Sequence, residues 1–270
     1  QTRAWRRLLD QPLTDGRGLM NAYAVGPRLG PDGWFHLAWL WRDTPSCDTN
    51  HTLSYARSRD LRAWETAAGS PASLPLTIDT PGLTVDPTPP KGGMINMGVG
   101  IGFDGDNRPI LTYHRYDASG HSQIYNARCE GGRWVIYQTS DWDWRWEFTG
   151  GGSVPCLVRG GSVSVDTDGA LLQFYSNAEK GSGTWILDPE TLKPVGKRTP
   201  KPERPGELNR LESSFPGMQV RWARDAGTPV DDRTVCFLRW ETLGTNRDRP
   251  RPEPWPEPSR LRLYEIALPE

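Results

Sequence analysis

Short runs of alternating hydrophobic and polar residues, separated by turns rich in Gly and Pro, extend along most of the chain. Two of these runs, 109–116 and 122–128, flank the turn DASG at 117–120. Side chains alternate between the two faces of a strand, and Gly suits the positive φ of a tight turn. The segment therefore predicts a β-hairpin in which Tyr113 and Arg115 share one face of a strand and His114 lies on the other.

This hairpin unit recurs. An Asp-Gly pair precedes the runs WFHLAWLW, RPILTYHRY and ALLQFY, and Asp232-Arg233 precedes a fourth run, TVCFLRW. Regular repetition of a hairpin with long loops is typical of β-propellers. The pattern predicts an all-β fold, a β-propeller of four-stranded antiparallel blades, as a single domain over 1–270. Four blades are at the lower limit for closing a ring, which predicts that N-terminal blades are missing.

Other segments refine this picture. The Ser-x-Asp spacing and Trp in SRDLRAWE, at 58–65, indicate a degenerate Asp-box, a structural turn in which Ser and Asp bond the local backbone. The Pro-rich segments 66–93 and 197–207 are long for loops and are expected to roof a cleft. The segment 249–258 is expected to be a surface loop, and 260–268 the last strand.

Composition narrows the possible partners. The 270-residue chain has a net charge of −1 and a pI near 6.5, which argues against nucleic acid and an anionic membrane as partners. No apolar run is long enough to span a membrane. The four cysteines lack the paired spacing of a zinc site, and both disulfides and buried thiols remain open. Thirteen Trp residues suit either a β-core or a sugar-binding face.

The four histidines and several arginines are the candidates for chemistry. His51 follows a polar loop and His114 interrupts an apolar pattern, so function and packing are both open for them. His36 is expected to be structural and His121 solvated. Arg145, within DWDWRWEF, is either salt-bridged or directed at a ligand anion. Two further arginines in the last repeat are comparable, Arg221 and Arg239, and the second of these has Glu241 as an alternative partner.

The strings HLAWLWRDTPSCDTNHTLSYARSRDLRAWE, INMGVGIGFDGDNRPILTYHRYD, DWDWRWEFTGGG, FPGMQVRWARD and LRWETLGTNRDRPR carry a family resemblance. Over residues 18–266 the chain resembles the bacterial and fungal BNR-repeat propeller family. Some members of that family are similar to polysaccharide lyases on seven-bladed propellers, such as ulvan lyases and rhamnosyl-glucuronate lyases. The resemblance implies an N-terminally truncated propeller of the seven-bladed type that cleaves beside a uronic acid by β-elimination.

Such a lyase neutralises the uronate carboxylate, removes the C5 proton and protonates the leaving oxygen. The resemblance implies catalytic roles for His51, His114, Tyr113 and Arg145. Substrate binding is assigned to Asn50, Arg115, Arg221 and Arg239. The expected partner is an acidic polysaccharide or oligosaccharide, and the protein is expected to be a secreted or periplasmic monomer without a cofactor. The acidic loop Asp141–Asp143 offers oxygen ligands of the kind calcium prefers, but the sequence shows no complete calcium loop, so no calcium site is predicted.

Two other functions remain open. A glycoside hydrolase, rhamnosidase- or sialidase-like, needs two carboxylates flanking the bond, and the candidates for these are Asp43, Asp48, Asp117 and Glu147. A sialidase would also need a three-arginine clamp and a Tyr/Glu couple. A non-catalytic carbohydrate-binding propeller would use the Trp residues as stacking platforms.

Overall fold

The computed structural model describes residues 4–199, 204–225 and 234–267. Within these ranges the chain is built from antiparallel strands in four sheets. The described helices are short 3-10 turns, at Cys47–Thr49, Asn96–Gly98 and Gly206–Asn209. The predicted all-β fold with almost no helix is confirmed.

Among the described residues, no helix is long and apolar enough to cross a membrane.

The chain divides into two compact units. Unit 1 comprises Gln1–Gly151 and Cys156–Thr199, and unit 2 comprises Gly152–Pro155 and Pro200–Glu270. The single domain over 1–270 stays a prediction, because this division does not decide whether the units unfold together.

Unit 1 contains three sheets. Sheet 1 contains β1 (Asn21–Leu29), β2 (Phe35–Arg42), β3 (Asn50–Ser58), β4 (Trp64–Glu65), β5 (Pro71–Ala72) and β6 (Thr84–Asp86), and β6 pairs with β3. Sheet 2 contains β7 (Gly100–Phe103), β8 (Pro109–Tyr116), β9 (Ser122–Glu130) and β10 (Arg133–Gln138), paired in chain order. Sheet 3 contains β11 (Val158–Gly160), β12 (Ser164–Val165), β13 (Leu171–Asn177), β14 (Gly181–Leu187) and β15 (Pro194–Arg198), and both β11 and β12 pair with β13.

Unit 2 contains sheet 4, a three-stranded meander. Its strands are β16 (Met218–Arg224), β17 (Thr234–Leu243) and β18 (Arg262–Ala267). The first position of the predicted last strand, at 260, lies outside β18, and its final residue, Leu268, lies outside the described residues.

The four copies of the repeat occupy equivalent positions. They form β2, β8, β13 and β17, each of which lies second in the pairing order of its sheet. Sheet 2 has the four strands predicted for a blade, whereas the others have six, five and three among the described residues. The turns of the first and third copies use Gly at positive φ, Gly33 at 75° and Gly169 at 84°. The fourth turn, Asp232-Arg233, lies outside the described residues.

Two hydrophobic cores flank sheet 1. The inner core lies between sheets 1 and 2 and includes Leu53, Tyr55 and Tyr113. The outer core lies on the opposite face of sheet 1 and is the place where the segment 66–83 packs. This is the first part of the segment 66–93 that is predicted to roof a cleft, and its Leu76 and Leu83 are buried against the strand tryptophans. Burying such side chains stabilises the fold by roughly 1.5–3 kcal/mol each. Roofing a cleft stays a prediction for the rest of the segment.

The turn after β3 is held by its own side chains. Ser58 Oγ accepts the Leu61 N–H at 2.8 Å and donates to the Ala63 carbonyl at 2.6 Å. Asp60 Oδ1 accepts the N–H groups of Arg62 and Ala63 at 2.8 and 2.9 Å. These bonds satisfy the backbone of the turn, which leads directly into a buried Trp64.

Candidate functional site

Four loops of unit 1 meet at one end of its sheets. They are 43–49, 87–99, 117–121 and 139–151, and we call the surface they form the loop face. Backbone hydrogen bonds join them: Cys47 N–H donates to the Gly150 carbonyl, Lys91 N–H to that of Asp48 and Tyr116 N–H to that of Gly92, all within 2.8 Å. Loops held by a rigid sheet scaffold are common locations for binding groups.

His51 is hydrogen-bonded to a carboxylate beside this face. Its Nε2 donates to Asp43 Oδ1 at 2.9 Å, and its Nδ1 lies 3.0 Å from Thr52 Oγ1. The imidazole is only 7% exposed, whereas the Asp43 side chain is 36% exposed. A carboxylate partner fixes the tautomer and orientation of an imidazole, and here the carboxylate is the more accessible member of the couple.

Asp43 lines a cavity of about 390 Å³. The rest of its lining comes from the segment that leads into β1, namely Thr14, Asp15, Gly16, Gly18, Leu19, Met20, Asn21 and Ala22. That segment folds tightly, since Leu19 N–H donates to the Gly16 carbonyl at 3.0 Å. A Cβ on Gly16 would lie 1.8 Å from the Met20 carbonyl oxygen, so the turn requires glycine there. Two carboxylates, Asp15 and Asp43, therefore border one cavity.

Asp15 is not among the site residues predicted from the sequence. The available signal was its place in the string TDGRG, a polar turn before the first strand. Turns at strand entries carry binding groups more often than strand interiors do.

A bulge decides the direction in which His51 points. Thr52 has a φ of 42°, and the register between β2 and β3 shifts between Leu40 and Trp41. Beyond the shift, His51 pairs with Trp41, and cross-strand partners share a face. His51 thus lies on the outer-core face of sheet 1, although Leu53 lies on the inner-core face.

His114 occupies a different environment. It is 2% exposed, its ring centre lies 5.3 Å from that of Trp146 and 6.3 Å from that of Phe148, and its Nε2 has no hydrogen-bond partner among the described residues. Burial lowers the pKa of His114 to about 4, opposed by a hydrogen bond with the Gly93 backbone. The imidazole is therefore neutral at neutral pH.

The structure does not bring the two histidines to one pocket. His114 alternates with Tyr113 along β8, and Tyr113 faces the inner core. His114 consequently lies on the face of sheet 2 that is turned away from sheet 1, and His51 on the face of sheet 1 that is turned away from sheet 2. The sequence predicts one pocket for both histidines because equivalent strands of neighbouring blades lie side by side at the axis of a propeller.

Arg145 lies on the loop face above an aromatic ring. Its guanidinium carbon is 3.6 Å from the ring centre of Tyr116, and its Nη1 donates to the Gly120 carbonyl at 2.9 Å. It also forms a short ion pair with Glu147. The Arg145 side chain is 39% exposed, so one face of the pair is open to solvent. The alternation of Trp142, Trp144 and Trp146 predicts a strand here, but the segment is not one. Its backbone N–H groups at Trp146 and Trp142 donate instead to the side chains of Ser122 and Gln123.

Tyr113 and Arg115 share a buried carboxylate. Asp86 Oδ2 accepts from the Tyr113 hydroxyl at 2.6 Å and from Arg115 Nε at 2.9 Å. Burial, together with Asp86, raises the pKa of Tyr113 well above its ordinary value. Asn50 is also buried, and its Nδ2 donates to the Cys47 carbonyl at 2.6 Å while its Oδ1 has no partner among the described residues.

The two arginines of the last repeat belong to unit 2. Arg221 is exposed and donates to Gln219 at 2.8 Å. Arg239 is buried, and it donates to Glu241 at 2.8 Å, to Glu212 at 3.2 Å and to backbone carbonyls. Its alternative pairing with Glu241 is therefore present in the structure.

The remaining candidates have internal partners. His36 is fully buried between the Tyr55 hydroxyl, at 2.6 Å, and Asp32, at 3.0 Å, as expected for a structural histidine. Asp117 accepts from Gln123 at 2.8 Å, and Asp48 accepts from Ser46.

The structure also shows how potential metal ligands and thiols are arranged in the described residues. No group of three His, Cys, Asp or Glu side chains there could hold a metal ion, and Asp143 is paired with Lys180. Within the described residues, none of the four cysteines forms a disulfide.

Several solved structures are similar to this chain over much of its length. A thermostable family-43 glycoside hydrolase is 11% identical with a TM-score of 0.39, covering 86% of this chain and 67% of its own. A family-43 endo-arabinanase from Bacillus licheniformis is 14% identical with a TM-score of 0.34, covering 86% and 74%. Fructan 1-exohydrolase IIa from Cichorium intybus is 15% identical with a TM-score of 0.42, covering 86% of this chain and 41% of its own.

No curated protein sequence matches the chain. The model of a family described as BNR repeat-containing matches residues 1–142, just over half of the 270 residues. This chain belongs to the BNR repeat-containing family.

Proposed function

We propose that the protein is a carbohydrate-active β-propeller that cleaves glycosidic bonds in a saccharide bound at the cavity beside Asp43. The observation that carries the proposal is the pair of carboxylates, Asp15 and Asp43, that borders one cavity, with His51 hydrogen-bonded to Asp43 at 2.9 Å. Four antiparallel sheets, each with the repeat in its second strand, support the propeller architecture. Extracellular polysaccharide as substrate would place the protein outside the cell.

Hydrolysis uses two carboxylates, one as general acid and one as base or nucleophile. In this role Asp43 faces the glycosidic bond. His51 holds the Asp43 carboxylate in position and is the proton donor on the side of that carboxylate away from the substrate. The names of the similar structures are those of glycoside hydrolases, and no lyase is among the three. Their TM-scores lie below 0.5, so these names fix neither substrate nor bond. Hydrolysis is our first candidate.

Elimination is the second candidate, and the exposed Arg145 favours it. A guanidinium on the loop face can bind a uronate carboxylate through two parallel hydrogen bonds, which requires that Glu147 release Arg145. His51 would then take the C5 proton, which requires that Thr52 release its Nδ1. The catalytic roles in elimination remain a proposal for His51, His114, Tyr113 and Arg145. The substrate-binding roles remain a proposal for Asn50, Arg115, Arg221 and Arg239.

One assay separates the alternatives. The purified protein is incubated with a panel of neutral and uronate-containing polysaccharides, and both reducing ends and ultraviolet absorbance are followed. Hydrolysis releases reducing ends only, elimination also produces a conjugated unsaturated product, and a binding protein produces neither. Absence of cleavage across the panel would overturn the proposed function.

The same assay tests the site. We expect His51→Gln and Asp43→Asn each to lower turnover by on the order of a hundredfold while the protein remains folded. His121→Gln is the matched control, because that imidazole lies in the exposed turn of the hairpin, where its side chain is 38% exposed. Unchanged turnover in both His51→Gln and Asp43→Asn would remove this site from the mechanism.

A further inference from the structure

The cavity beside Asp43 is bordered by two carboxylates, and no cationic side chain lies along its described lining. Arg17 follows Asp15 closely in the chain, yet its guanidinium is directed elsewhere. It donates to Asp79 at 2.5 Å and to Thr77 Oγ1 at 3.4 Å. The charge of Asp15 is therefore not neutralised by the nearest arginine in the sequence.

Arg42, which precedes Asp43, is also engaged away from the cavity. Its guanidinium donates to the carbonyl oxygens of Thr44 and Ser46 at 2.9 and 3.3 Å and lies 5.3 Å from the Tyr23 ring centre. Like Arg17, it is absent from the lining. The carboxylates of Asp15 and Asp43 therefore give the cavity a net negative character.

Carboxylates discriminate between kinds of sugar. Ionised Asp is an acceptor only, so it binds the hydroxyl groups of a sugar, which donate. A uronate carboxylate has no proton to donate and repels a like charge nearby. Leu19, which is 72% exposed at the rim, adds an apolar contact for the C–H face of a sugar ring.

We infer that the sugar unit that occupies this cavity is uncharged, and that Asp15 selects against a uronate there. The inference rests on the proposed function, because it names the substrate class of the same site. It concerns the unit in this cavity alone, so a uronate elsewhere along the polymer is compatible with it.

Asp15→Asn tests the inference with little change in structure. Asp15 Oδ1 accepts the Arg17 N–H at 2.7 Å, and the carbonyl oxygen of Asn can accept the same bond. The probes are oligosaccharides from arabinan and galactan, which are neutral, and oligogalacturonate, which is anionic. Dissociation constants are measured by titration calorimetry, with Asp141→Asn as the control, since that exposed aspartate lies on the loop face and its replacement changes the net charge equally.

The unmodified protein is expected to bind a neutral probe more tightly than oligogalacturonate. In Asp15→Asn, affinity for oligogalacturonate should rise by up to about fivefold, the size of an exposed charge contact. Affinity for the neutral probe should not rise, because Asn offers its hydroxyl groups only a neutral acceptor. Asp141→Asn should change neither.

Other results overturn the inference or the function separately. Equal or tighter binding of oligogalacturonate by the unmodified protein, or no gain in Asp15→Asn, would overturn the inference even if a polysaccharide is cleaved. Binding of neutral probes without cleavage of any polysaccharide would instead overturn the proposed function. If neither class of probe binds, both proposals fail.

Discussion

Burial determines which chemistry His114 offers. Its Nε2 lies beside Trp146 and Phe148 without a hydrogen-bond partner in the part of the chain that the structure describes, and burial lowers the pKa of the imidazole to about 4 from its ordinary value of 6.5. Between these two values only the unfolded chain takes up the proton. The stability that the neutral imidazole contributes is therefore complete above pH 6.5 and is lost as the pH falls toward 4.

This difference predicts an acid-sensitive fold. The free energy of unfolding should fall by about 1.4 kcal/mol per pH unit within that window through His114 alone. His114→Gln should lower stability at pH 7 but lose this part of the pH slope. Denaturant titrations at pH 7, 6 and 5 measure both slopes. Identical slopes in the variant and the unmodified protein would show that His114 does not titrate as its burial requires.

We predict that the Tyr113 hydroxyl stabilises the fold through its hydrogen bond to Asp86. Removing it in Tyr113→Phe leaves one bond fewer to a buried carboxylate, so the free energy of unfolding should fall by about 1–3 kcal/mol. Saccharide cleavage by the folded variant should stay close to that of the unmodified protein. Chemical denaturation and the cleavage assay check the two statements, and loss of turnover with unchanged stability would instead assign Tyr113 to catalysis.

At the level of strands, the sequence predicted more of the fold than of the site. Turn residues and alternation identified the hairpin of β8 and β9 and the equivalent second strands of the four sheets, because these depend on local geometry. The bulge at Thr52 could not be read from alternation. A shift of one residue moves a side chain to the opposite face, and this shift places His51 on the outer-core face of sheet 1.

Close packing of neighbouring sheets was also hidden in the sequence. A Cβ on Gly102, in β7, would lie 2.2 Å from the Val163 carbonyl oxygen, whereas a Cβ on Gly196, in β15, would meet nothing nearer than 3.6 Å. We predict that Gly102→Ala lowers the free energy of unfolding by about 1–3 kcal/mol, since sheets 2 and 3 must separate locally.

Gly196→Ala is the matched control for this prediction. It should change stability by less than about 1 kcal/mol, and alanine there is even expected to favour the folded state slightly because it restricts the unfolded chain. Thermal unfolding of both variants compares them directly. Equal destabilisation of the two would mean that the contact between Gly102 and Val163 does not limit the packing of these sheets.

At the scale of the whole molecule, the open question is cooperativity. The repeats predict one domain, whereas the contacts form two compact units. Each unit contains a buried arginine with internal partners. In unit 1 Arg128 donates to Glu130 at 2.8 Å and to the backbone at 189–190, and in unit 2 Arg239 donates to Glu241 at 2.8 Å.

This symmetry allows a reciprocal test. Arg239→Leu should cost about 3–5 kcal/mol, because the Glu241 charge stays buried without its partner. Arg128→Leu removes a buried guanidinium and its hydrogen bonds, and it should cost less through the ion pair because the Glu130 side chain is 32% exposed. If the units unfold separately, Arg239→Leu should raise amide hydrogen exchange in β17 and leave β8 unchanged, and Arg128→Leu should do the reverse. Cleavage at the Asp43 cavity should then survive Arg239→Leu. Faster exchange in both strands in either variant would instead establish one cooperative domain, as the repeats predict, because destabilisation of a two-state fold reaches every amide that exchanges through global unfolding.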